Sequence, residues 1–92
     1  MITKKNPKLK SDILQLLPFV LDGYKWVSVV HYVLAQDYPP GGDTFMAILR
    51  APSYKEAALI SNAELPIYER DELWYAKVIE RGLEAQRRQN PQ

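Results

Sequence analysis

Few residues in this chain have side chains suited to chemistry, and they are scattered. His31 is the sole histidine among 92 residues, and Ser28 precedes it by three positions. A serine and a histidine can form a nucleophile and its base only if the two side chains converge and a third group orients the imidazole. On a helix, positions 28 and 31 share a face. On a strand they point to opposite sides and cannot meet. With no motif around them, His31 is read as a structural histidine on an apolar segment.

A second group is acidic: Glu69, Asp71 and Glu72, with Glu64 nearby. Paired carboxylates can move protons or hold a hard cation. No Asp-x-Asp-x-Asp-Gly loop accompanies them. The simpler reading is a helix start, where acids complement the positive end of the backbone dipole. The run Pro39-Pro40-Gly41-Gly42-Asp43 has two glycines but no Walker lysine and no GxGxxG spacing, so it reads as a turn. The chain has no cysteine, which excludes disulfides, thiol catalysis and Cys-ligated zinc. From these features we expect no catalytic, cofactor-binding or metal-ligating residue, and no enzyme.

What remains is surface. The chain carries six tyrosines and two tryptophans, side chains favoured where an apolar body must also reach water, partner surfaces included. Trp26, Phe45 and Trp74 fit a core. Tyr32, Tyr38, Tyr54 and Tyr68 lie beside turns or on the polar side of a pattern and are the candidate partner-binding residues. A further candidate is electrostatic. Net charge is only +1, yet residues 1–10 hold Lys4, Lys5, Lys8 and Lys10 and no acid. These lysines, with Arg87 and Arg88, could track phosphates. No aromatic is interleaved among the lysines, and the remainder of the chain is slightly acidic.

The elements that must position these groups follow from periodicity. A chain of this length makes one domain, here residues 11–92 behind a flexible basic leader, residues 1–10. No apolar run approaches the roughly 18 residues of a membrane span, and the expected location is cytoplasmic. Ser11 caps an amphipathic helix that should stop or bend at Pro18. Asp22-Gly23 is a tight-turn dipeptide. It either closes a hairpin of Phe19–Leu21 with Tyr24–Trp26 or ends the first helix, and the second is preferred because the helical face runs on through Val20 and Leu21.

Tyr24–Gln36 has helical spacing but the composition of a strand, with four valines, two tyrosines and a tryptophan. Composition is taken to win. The segment is paired with Thr44–Ala51 as an antiparallel hairpin across the Pro/Gly turn, and a helical hairpin stands as the alternative. Ser53-Tyr54-Lys55-Glu56 is a capping box that starts the middle helix, bracketed by Asn62 and Pro66. Ile67–Glu69 is an extended link or edge strand. Asp71 opens a long amphipathic helix with Trp74, Tyr75, Val78, Ile79, Gly82 and Leu83 on one face, closed by Asn90-Pro91.

The expected fold class is therefore α+β: an N-terminal helix, a two- or three-stranded antiparallel hairpin, a capped middle helix and a long C-terminal helix. Such a thin sheet would leave its own edges and faces open. That predicts a protein-interaction module, an accessory subunit, inhibitor or regulator that binds another protein or itself, with a homodimer expected. The alternative is a nucleic-acid-binding accessory protein using the leader and the C-terminal arginines.

Overall fold

The computed structural model describes residues 13–64, 68 and 70–91. The lysine leader, Ser11, Pro66, Ile67 and Glu69 lie outside them. The fold is α+β, a two-stranded antiparallel hairpin with four helices. They follow the order β1 (Phe19–Leu21), β2 (Tyr24–Trp26), α1 (Val29–Ala35), α2 (Asp43–Arg50), α3 (Tyr54–Ala63) and α4 (Glu72–Gln89).

The hairpin is where Asp22-Gly23 allowed it, not where valine content placed it. Asp22 has φ 56° and Gly23 φ 85°, the two positive angles that a two-residue turn matched to strand twist requires. Phe19 pairs with Trp26, Val20 with Lys25 and Leu21 with Tyr24. The preferred reading of Asp22-Gly23 as a helix end is thus corrected. At the N-terminal side only Ile13 and Leu14 are helical among the described residues.

The outer edge of β1 is not left open. Gln89 from the far end of the chain presents its carboxamide as if it were a strand. Val20 N donates to Gln89 Oε1 at 2.7 Å, and Gln89 Nε2 donates to Val20 O at 2.7 Å. Gln86 Nε2 donates to Leu17 O and Asn90 Nδ2 to Pro18 O. Three amide side chains therefore satisfy the backbone groups that would otherwise invite another strand.

The segment expected to be the first long strand is instead mostly α1, and the expected partner Thr44–Ala51 is α2. Magnitudes explain the reversal. A valine in a helix costs a few tenths of a kcal/mol relative to good helix formers. Burying a valine or larger apolar side chain returns roughly 1.5–3 kcal/mol. Helical spacing puts Val29, Tyr32 and Ala35 on one buried face, so packing outweighs propensity. Ser28, in extended geometry, caps the helix by accepting from His31 N. In α2, Asp43 stands in the first turn and Arg50 in the last, both favoured by the helix dipole.

Helix α1 packs against α2, α3, α4 and β2 and forms the centre of the molecule. Around it lie Phe19, Trp26, Phe45, Ile48, Ala57, Val78 and Leu83. Trp26 meets Tyr32 and Phe45 edge to face, with centroids 5.3 and 5.4 Å apart. The apolar flank of the valine-rich segment is enclosed by its own chain, which removes the argument that a thin ribbon needs a second molecule to cover it. The surest elements hold. Ser53 Oγ accepts from Glu56 N at the start of α3, and Asp71 Oδ1 accepts from Trp74 N at the start of α4. Gly82 lets α4 approach α1, because a Cβ there would sit 3.0 Å from Val29 Cγ1.

Candidate functional site

The helical form of residues 29–35 brings together the pair that a strand would have kept apart. Ser28 Oγ lies 2.6 Å from His31 Nδ1, and His31 Nε2 lies 2.9 Å from Ala51 O. A carbonyl oxygen can only accept, so Nε2 carries the proton and Nδ1 is the acceptor of a neutral ring. The Ser28 hydroxyl then donates to Nδ1 while its oxygen accepts from His31 N.

Every donor and acceptor is used. The distances would suit a nucleophile and its base, but both residues are wholly buried and no substrate reaches Oγ. Desolvation by burial holds the imidazole below its ordinary pKa, opposed by the bond to Ala51. The network ties the start of α1 to the link between α2 and α3. The structural reading of His31 stands, with Ser28 as its partner.

Asp22 plays a comparable part in the hairpin turn. It accepts from Tyr32 Oη at 2.9 Å and pairs with Arg81, joining the turn to α1 and α4. Burial, then the bond to Asp22, pushes the Tyr32 phenol up to about 12. Tyr32 is therefore a core residue. So is Tyr38, whose hydroxyl donates to Ser61 O and Glu64 O at the end of α3. Their place in the partner-binding set is corrected: each ring fills the core and each hydroxyl finds a partner within the chain. Tyr54 and Tyr68 are exposed.

The acidic cluster does not assemble as a metal site. Asp71 is committed to capping α4, and no group of three metal-ligating side chains exists among the described residues. The Pro/Gly run leads into a helix rather than a strand, with Gly42 N bonded to Pro39 O. Arg87 and Arg88 are exposed, but the groove they line also contains Lys77, Glu80, Arg81 and Glu84. Its signs alternate, unlike the continuous positive track that follows a phosphate backbone.

A different group stands out at the entry to α4. The Arg70 guanidinium lies 4.0 Å from the centroid of Trp74 and 4.4 Å from that of Tyr68. Its Nε is buried without a hydrogen-bond partner. Among the described residues the guanidinium has no ion pair. Stacking holds its plane while leaving the in-plane N–H edges to meet an acceptor.

Beside it Leu73 is 64% exposed, and Asp71 and Glu72 are exposed on the same turn. Behind it Tyr75 Oη donates to Asp37 Oδ1 at 2.6 Å, a bond that pushes the Tyr75 phenol up to about 12. Asp37 is itself largely buried, so the turn is anchored from beneath. Of this group only Tyr68 was a candidate from sequence. Arg70, Leu73 and Trp74 were missed. The available signal was Leu73, an apolar residue outside the buried stripe of α4, next to an arginine flanked by aromatics. Comparison with protein-family models, curated proteins and solved structures returns no match.

Proposed function

We propose that this chain is a non-catalytic protein-interaction module whose docking surface is the entry to α4, formed by Tyr68, Arg70, Leu73 and Trp74. The observation that carries the reading is the stacked, unpaired Arg70 beside the exposed Leu73. Arginine, tyrosine and tryptophan are the side chains that dominate binding energy at interfaces. A guanidinium already held in place loses little freedom when it binds. The bound state would supply what the free chain lacks, an acceptor for Arg70 and apolar cover for Leu73.

The test is photo-crosslinking in the source cell. A crosslinking residue at position 73 should give a discrete product that the same residue at exposed position 55 does not. No product specific to position 73 would refute the docking surface. The nucleic-acid alternative rests on the exposed Arg87 and Arg88 and on the leader. It requires retention on heparin at low salt that falls when residues 1–10 are removed.

A further inference from the structure

Charge at the entry to α4 is mixed in a particular way. Arg70 lacks an acid, while Glu72, two residues on, is exposed and lacks a base among the described residues. Asp71 is used by its cap. A strongly anionic ligand on Arg70 would be repelled by Asp71 and Glu72, and a cationic ligand on Glu72 would be repelled by Arg70. A surface carrying both signs beside a protruding apolar residue is matched by its own two-fold copy.

We infer that the occupant of this surface is a second copy of the chain. Arg70 of each copy meets Glu72 of the other, and the two Leu73 side chains pack together near the two-fold axis. This rests on the docking surface proposed above and names its partner. The arrangement satisfies the fork of Arg70, covers Leu73 and uses the unpaired carboxylate in one step. A stable interface buries about 800 Å² per partner, roughly an eighth of this chain's 6176 Å² surface. The patch is smaller than that core requirement, so the dimer should be reversible and salt-sensitive, dissociating on dilution into the micromolar range.

Sedimentation equilibrium over a wide concentration range, at low and high salt, reads this directly. Arg70→Glu places two like-charged pairs across the axis, and so does Glu72→Arg. Each should weaken self-association at least tenfold, with the helical circular dichroism unchanged because both side chains are at the surface. An equimolar mixture of the two variants restores both opposite-charge pairs and should recover the parental affinity as a heterodimer.

A chain that stays monomeric to near-millimolar concentration would overturn the inference. So would a dimer insensitive to both variants, or a mixture that shows no recovery. A product crosslinked from position 73 to a different protein, with the purified chain monomeric, would overturn the second copy and leave the docking surface standing. Absence of both the dimer and that product would remove both.

Discussion

Two helix entries in this molecule hold polar side chains among aromatics, and they are opposites. At the start of α1, Ser28, His31 and Ala51 form a closed set in which each polar atom is bonded and none meets solvent. At the start of α4, Arg70 is held between two rings with Nε unbonded, and the neighbouring Leu73 faces water. The first has the residue types of an active site and the connectivity of a rivet. The second has no catalytic residue type and the open valences of a contact. Connectivity and exposure, more than residue identity, separate structure from function here.

The sharpest break of that comparison is His31→Ala. It strips partners from Ser28 and Ala51 in the core and leaves a cavity, and should cost about 3–4 kcal/mol. Urea unfolding would show a lower midpoint at unchanged slope. A loss under about 1 kcal/mol would mean the network is not what fastens α1 to the α2–α3 link.

Next in size is Gly82→Leu, which forces α4 off Val29 and Tyr32 and should cost about 1–3 kcal/mol. An unchanged melting curve would contradict the close approach. Ser28→Ala removes both the cap and the donor to Nδ1, for about 1–2 kcal/mol. It should also raise the fraction of open α1 seen by amide hydrogen exchange.

The pH dependence has a definite sign. Burial lowers the His31 pKa below its ordinary value of 6.5, so the unfolded chain binds the proton more readily. The contribution is fully present above pH about 6.5 and is lost as the pH falls from there toward the folded-state pKa. The slope in that window is up to about 1.4 kcal/mol per pH unit. Urea midpoints for parent and His31→Ala should converge as the pH is lowered. Parallel curves would show that His31 does not carry the effect.

The smallest effect on stability belongs to the open entry. Arg70→Ala removes a solvent-facing stack worth about 0.5–1 kcal/mol, and should matter far more to association than to folding. A loss of several kcal/mol would instead make Arg70 a second rivet.

The sequence was most legible where local chemistry decides. Ser53 and Asp71 announced α3 and α4, and the apolar stripe of α4 was read with Gly82 inside it. Asp22-Gly23 offered the right hairpin as one of two readings. Tyr24–Gln36 was misread because valine content argues for a strand, while the helix is imposed by burial against three other helices, which no local window contains. Tyr32 and Tyr38 were misassigned for the same reason. The acceptors of their hydroxyls, Asp22, Ser61 and Glu64, are brought to them only by the fold. Arg70 was invisible for the converse reason, since an unpaired cation is defined by what fails to come near it.

The carboxamide that imitates a strand against Val20 has a consequence for how the protein is made. Its partners are separated by 69 residues along the chain, and those of Asn90 and Pro18 by 72. A growing polypeptide has nothing to seal that flank until its last helix has left the ribosome. Until then Leu17, Pro18 and Val20 present bare amides and carbonyls to whatever is nearby. Closure is thus an act of the final few residues, and a nascent chain stalled before Gln86 would be the form most open to adding a foreign strand.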